Sequence, residues 1–189
     1  DRLPKVCVLA VLLLAVAIPG QGSCADTGSA NILPWRIERD IRRFRTVGTD
    51  IVMDLLAIRP GMTILDIGAG TGQFAYEFAR RLNGTGTVYA TDTNGACIDY
   101  MRKEAGRRGL KNLNPVLVRK DGVDEFYGRH RYDLITMFHL SMTYEDRVDY
   151  LRELRGFLAE GGRLVLILYK TPTPFSSGDF TGDFRGLVN

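Results

Sequence analysis

Between residues 63 and 169 the chain alternates apolar runs with amphipathic stretches. The runs at Thr63–Ile67, Thr87–Thr91, Pro115–Val118, Tyr132–Phe138 and Arg163–Tyr169 predict strands. Stretches such as "DLITMF" and "LVLIL" are near-continuous rather than alternating. That pattern marks strands covered on both faces. Between them a 3.6-residue period predicts helices at Gly72–Leu82, Gly95–Gly109 and Tyr144–Ala159. On the last of these Tyr144, Val148, Leu151, Leu154 and Leu158 form one packing stripe. A short helix or turn is expected around Val123–Gly128. "NGTG" closes the first helix, "GG" at 161–162 closes the last, and Thr143 with Asp146 forms a capping box. Strand–helix alternation of this kind predicts an α/β fold, a three-layer, doubly wound and mainly parallel sheet.

Upstream, helical patterns cover Trp35–Arg45 and Thr49–Ile58, with Gly48 between them and a turn at "RPG", residues 59–61. In the first helix Ile37, Ile41 and Phe44 make an apolar stripe, and Arg36, Arg39, Arg42, Arg43 and Arg45 fill the remainder with Glu38 and Asp40. The basic side reads as a solvated face, the alternatives being contact with a membrane surface or an acidic substrate. It could also close over a ligand as a lid.

The first 25 residues differ from the rest. Thirteen apolar residues run from Val6 to Ile18 behind Arg2 and Lys5. As a helix they would reach about 20 Å, short of a ~30 Å hydrocarbon layer. A basic start, a short apolar core, Pro19-Gly20 and the small residues of Ser23-Cys24-Ala25 are the features of an export signal. Cleavage would fall before Asp26, with lipidation of Cys24 as the alternative, although Gln21 stands where a leucine is usual. The organisation expected is therefore a signal or membrane anchor at 1–25, a linker at 26–34, a domain at 35–170 and a loop-like tail at 171–189.

Composition narrows the class without naming it. The 189 residues are 45% apolar and 25% charged, a globular balance. A net charge of +3 is too small to argue for nucleic acid. Of the three cysteines, Cys7 and Cys24 lie in the N-terminal segment. Cys97 alone lies in the domain, where it reads as a small apolar filler. No CxxC pair points to metal.

The candidate chemistry sits in "DIGAGTG", residues 66–72, at the carboxyl end of the first predicted domain strand. Ligands of open parallel sheets bind at such ends. Gly68, Gly70 and Gly72 leave the backbone bare, and the helix start beyond them offers N–H groups to an anion. A dinucleotide fingerprint would place its third glycine at position 73, where this chain has Gln73. Asp66 precedes the turn, and Asp92 closes the next strand twenty residues after Gly72. Two carboxylates repel a phosphate. They suit a ligand with a ribose and a cationic centre.

At these residues the chain resembles the class I S-adenosylmethionine-dependent methyltransferases, specifically the small type 11/25 domains. The resemblance rests on "ILDIGAGTG", "VYATD", "RKDGVDEF", "YDLITMFHLSMT" and "LAEGGRLVLI", in that order, from about Thr49 to Tyr169. It implies S-adenosyl-L-methionine as cofactor. Asp66, Gly68, Ala69, Gly70 and Gly72 would line its methionine and ribose end, and Asp92 would hold both ribose hydroxyls. Asp121 with Gly122 would meet the adenine, and Thr93 and Phe138 would flank the cleft. A turn acid remains the alternative for Asp121, and ordinary core for Phe138.

The activity implied is methyl transfer to a small molecule or a protein, with no metal. His139 is the candidate base, Tyr144 and Glu145 are candidate acceptor contacts, and His130 reads as a solvated loop residue. The "MFHLSMTYE" stretch lacks the Asn/Asp-Pro-Pro-aromatic signature of nucleic-acid base methylation, so that partner is disfavoured. Alternatives are a cofactor-binding module without turnover and, behind it, an NAD-dependent oxidoreductase. The family commonly adds a C-terminal β-hairpin, and no pattern for one follows Tyr169, which would leave the last strand's outer edge open. Export to the periplasm or beyond is expected if the N-terminal segment works as a signal, and a cytoplasmic protein if not. Membrane contact would come only through that segment. The sequence carries no sign of an oligomeric state.

Overall fold

The computed structural model describes residues 8–14, 33–46, 49–119, 122–138 and 144–169. In chain order the elements are β1 (Val8–Leu14), α1 (Leu33–Thr46), α2 (Thr49–Leu56), β2 (Thr63–Ile67), α3 (Gln73–Arg81), β3 (Thr87–Asp92), α4 (Gly95–Arg107), β4 (Leu113–Leu117), a 3₁₀ turn (Glu125–Arg129), β5 (Tyr132–Phe138), α5 (Tyr144–Arg155) and β6 (Leu158–Tyr169).

Six strands form one sheet in the order β1-β6-β5-β2-β3-β4, and every pair is parallel. The chain runs outward from β2 through β3 to β4, then returns to β5 on the other side of β2. Strand order thus reverses between β2 and β5, which opens a crevice at their carboxyl ends.

Residue parity divides each strand between two cores. Ile64, Val88, Leu134 and Val165 face one cluster with Met53 of α2, Phe74 and Phe78 of α3, and Ile98 and Met101 of α4. Leu65, Ile135, Leu164 and Leu166 face the other, with Leu151 and Leu154 of α5. Both faces of the strands are buried, and this is why their sequences read as unbroken apolar runs.

The boundaries depart from expectation in three places. The last helix ends at Arg155, and Leu158 already pairs with Tyr132 as the start of β6. Gly161 and Gly162 therefore lie inside a strand, beside a register shift between Tyr132 and Leu134. Leu158 completed the helical stripe by spacing alone and joins the core from the sheet. β4 begins at Leu113, so Pro115 is within it. As the outermost strand β4 has no further neighbour among the described residues to bond, and proline is tolerated there.

The third departure is at the N-terminus. Within the segment read as a signal, Val8–Leu14 forms β1, in register from Val8↔Arg163 to Leu14↔Tyr169. A short apolar run serves a strand as well as a helix, and periodicity alone does not separate them. The outer edge of β6, expected to be open, is covered by β1. The tail at 171–189 and any C-terminal hairpin lie outside the described residues, as does Thr143 of the capping box.

Candidate functional site

The turn after β2 is built from left-handed backbone. Gly68, Gly70 and Gly72 have φ of 71°, 58° and 85°. The turn is tied to the next strand by Ala69 N–H donating to Thr91 O at 2.8 Å. The glycines serve different ends. A Cβ on Gly72 would lie 2.7 Å from Met101 Cγ and 3.0 Å from Tyr76 Cζ, so its bare side fits the core rather than the cleft. This corrects the expectation that Gly72 is bare for a ligand: it lets α3 close against α4. At Gly70 a Cβ would stand 2.6 Å from the Asp40 carboxylate.

Asp66 is buried at 1% exposure. Its Oδ1 accepts from Thr136 Oγ1 at 2.8 Å, while its Oδ2 is buried with no partner among the described residues. Burial pushes its pKa up to about 7, against the Thr136 hydrogen bond, with the Asp92 charge adding to the rise. A buried carboxylate oxygen without a donor suits a cationic group brought by a ligand.

Asp92 is turned toward the glycine turn. Its Oδ2 accepts from Gly70 N at 2.9 Å and its Oδ1 from Asn94 N at 2.8 Å. Burial raises its pKa, and the two backbone N–H groups and the Arg36 charge pull it back. Each oxygen has capacity left for a ribose hydroxyl. Behind it Thr91 Oγ1 lies 3.3 Å from the Tyr127 hydroxyl, which anchors the 3₁₀ turn beneath the strand end.

Helix α1 covers this turn. Asp40 Oδ2 accepts from both Thr71 N and Thr71 Oγ1 at 3.0 Å. Its Oδ1 takes Arg39 Nε at 3.0 Å and Nη2 at 2.9 Å. One turn earlier, Arg36 Nη1 reaches Cys97 Sγ at 3.6 Å, in the first turn of α4. The apolar stripe of α1 seats it: Phe44 meets Phe74 edge-on at 5.0 Å. The helix expected as a solvated face or lid therefore lies on the turn. Asp40 and Thr71 were missed in the sequence, because nothing in an amphipathic pattern tells which residue 31 positions away a helix side chain will meet.

The other expected residues divide. Phe138 is half-buried and stacks on Phe74 at 4.0 Å and 10°, as part of the apolar cluster at the strand end. Thr93 and Gly122 are exposed. Asp121 and His139 lie outside the described residues, as do the side chains of Tyr144 and Glu145. Cys97 is fully buried, in keeping with a filler. His130 is half-buried and stacks on Tyr89 at 4.3 Å, which corrects its reading as a solvated residue. The ring completes an aromatic group with Phe126 and Tyr132.

These residues fit S-adenosylmethionine. The unpaired Asp66 oxygen, the Asp92 carboxylate and the bare turn match a cationic amino-acid end and a ribose.

Comparison with known proteins follows the same line. Residues 58–179 match the family described as a methyltransferase domain. The ubiquinone/menaquinone biosynthesis C-methyltransferase of Idiomarina loihiensis is 29% identical over 120 residues, 64% of this chain and 47% of that protein. The chain thus spans about half the length of the curated relatives it matches. Coclaurine N-methyltransferase, solved with N-methylheliamine and SAH, superposes with a TM-score of 0.55 at 22% identity, over 68% of this chain and 35% of that one. A SAM-dependent methyltransferase from Aquifex aeolicus gives 0.54 at 20%, covering 70% and 71%.

Proposed function

This chain belongs to the methyltransferase-domain family, and on that premise we propose that it transfers a methyl group from S-adenosylmethionine to a small molecule or protein. The single observation that carries the reading is the pair of carboxylates at the switch point. One has a buried oxygen awaiting a donor, and the other is turned to the glycine turn. Dinucleotide sites share an acid at the end of the second strand, so the acid that argues against one is Asp66, two residues before the first glycine of the turn.

The cofactor supplies a methyl carbon already activated by a positive sulfur. The protein's part is to orient and to exclude water. Asp66 would accept from the cofactor's ammonium, Asp92 would hold the ribose, and Gly68, Ala69 and Gly70 would let the ligand approach the backbone. Thr93, Asp121, Gly122 and Phe138 would border the adenine and the acceptor side. His139 would serve as base where the acceptor needs deprotonation. The curated relatives named as C-methyltransferases favour a small molecule with a nucleophilic carbon over a protein.

Calorimetry with S-adenosylmethionine, S-adenosylhomocysteine and NAD tests the reading. Micromolar binding of the first two and none of NAD is expected, with release of S-adenosylhomocysteine when an acceptor extract is added. NAD binding without adenosylmethionine binding would overturn it. Binding of the cofactor with no turnover on any extract would leave a cofactor-binding module instead.

We also propose export for the N-terminal segment. Its support is Arg2 and Lys5, the apolar run from Val6 to Ile18, and the small residues up to Ala25. The pairing of β1 with β6 makes the opposite demand, since a cleaved leader cannot supply a strand. N-terminal sequencing of the protein purified from its source separates them. A start at Asp26 supports export, and a start ahead of Val8 supports the strand.

A further inference from the structure

The N–H groups at a helix start after a glycine turn are where a ligand's carboxylate would bind. Here the N–H of Thr71, in the turn two residues before α3 begins at Gln73, is already taken. Asp40 Oδ2 receives both Thr71 N–H and Thr71 Oγ1–H at 3.0 Å. The contact is built rather than incidental. Thr71 is fully buried, and the Asp40 side chain is 12% exposed. The oxygen lies 2.6 Å from where a Cβ on Gly70 would stand, so any side chain at position 70 would push it out. A second, independent observation marks the same turn as a ligand site: Asp66, buried at 1% exposure, carries where the turn begins an Oδ2 with no partner among the described residues.

We propose that Asp40 is an internal carboxylate that occupies the anion position of the cofactor cleft, so that α1 acts as a gate that only ligands with an amino-acid end displace. The proposal rests on the cofactor reading above. S-Adenosylmethionine and S-adenosylhomocysteine each carry a carboxylate that competes with Asp40 for Thr71. Binding them moves Asp40 off the turn, and the ammonium of the same ligand gives the displaced carboxylate a cation to face. A nucleoside without that end leaves Asp40 seated. The closed state lowers the apparent affinity for carboxylate-bearing ligands by the fraction of molecules in which the gate is open.

The helix carries its own reporter. Trp35 is the single tryptophan of the chain. The Arg39 guanidinium lies over its ring at 4.8 Å and is held in turn by Asp40 at 2.9 Å. Trp35, Arg39, Asp40 and Thr71 thus form one connected series, and displacement of Asp40 must disturb the cation over the indole.

Two measurements test the proposal. In the unaltered chain, titration with S-adenosylhomocysteine should shift Trp35 emission, whereas 5′-methylthioadenosine, which lacks the amino-acid end, should bind with no such shift. In Asp40→Asn, which keeps an oxygen for Thr71 but removes the charge, the Kd for S-adenosylhomocysteine should fall about tenfold. The Kd for 5′-methylthioadenosine should stay within about twofold. Equal emission changes with the two ligands, or no change with either, would overturn the gate. So would weaker or unchanged S-adenosylhomocysteine binding in the variant with methylthioadenosine binding intact, which would leave the cofactor reading standing. Failure of the unaltered chain to bind either nucleoside would instead remove the cofactor reading, and the gate with it. The fluorescence measurement needs no variant, so a folding defect in Asp40→Asn does not blunt the test.

Discussion

At the scale of single residues the site is governed by how two carboxylates are satisfied. Asp66 has one oxygen bonded to Thr136 and one with no donor among the described residues, and burial holds its pKa near 7. Its ordinary value is 3.8, so between about pH 4 and 7 the folded protein keeps a proton that the unfolded chain has lost. The contribution of Asp66 to stability is therefore fully present below the unfolded value and declines as pH rises through about 7. A ligand ammonium reverses the preference and favours the ionised form. Cofactor affinity should thus climb as pH rises toward about 7 and then level off, measured by calorimetry across pH 5.5 to 8.5. Asp66→Asn should flatten that profile, and a profile unchanged in the variant would separate Asp66 from the cofactor. Asp92→Ala should raise the cofactor Kd by at least about tenfold, since hydrogen bonds to a charged group contribute roughly 1.5–3 kcal/mol each. Its melting temperature should fall by a few degrees, because Gly70 N and Asn94 N lose their acceptor, and an unchanged Kd would remove the ribose from Asp92.

At the scale of elements the glycine turn and the two helices beside it behave as one unit. Gly72 begins α3 with φ 85° and packs its bare face on Met101 and Tyr76. Gly72→Ala should cost about 2–4 kcal/mol, from left-handed strain plus overpacking, read as a lower urea midpoint. Phe74 joins α1 to the end of β5, lying between Phe44 and Phe138. Phe74→Ala should cost about 3–5 kcal/mol. The positions of α3 and α4 were legible from glycine and periodicity because those signals are local. Arg155 as the end of α5 was not, because Leu158 continues the helical spacing while its backbone already pairs with Tyr132. The stacking of His130 on Tyr89 was equally hidden, since the two meet only when β3 and the 3₁₀ turn are brought together.

For the molecule as a whole the sheet sets where chemistry can occur. The cleft lies at the carboxyl ends of β2, β3 and β5, in the middle of the sheet, whereas β1 and β4 form its edges. Changes at an edge should leave the cleft alone. A chain that begins at Asp26 should bind S-adenosylhomocysteine with the affinity of the full chain, yet scatter light sooner on warming, because removing β1 bares the N–H and C=O row of β6. A large loss of affinity in that chain would tie β1 to the cleft.

The order of strands and helices, the doubly covered sheet and the acids flanking the glycine turn follow from residues close together in the sequence. Apolar period, glycine placement and the last residue of a strand act over a few positions, and they leave their mark in the one-dimensional pattern. Three matters were decided only by folding: that Asp40 reaches Thr71, that Gly72 is bare for Met101 rather than for a ligand, and that Val8–Leu14 lies beside β6. Each depends on which surfaces meet across tens of residues or more. Burial and backbone pairing reward such a meeting in three dimensions, and no local pattern encodes it.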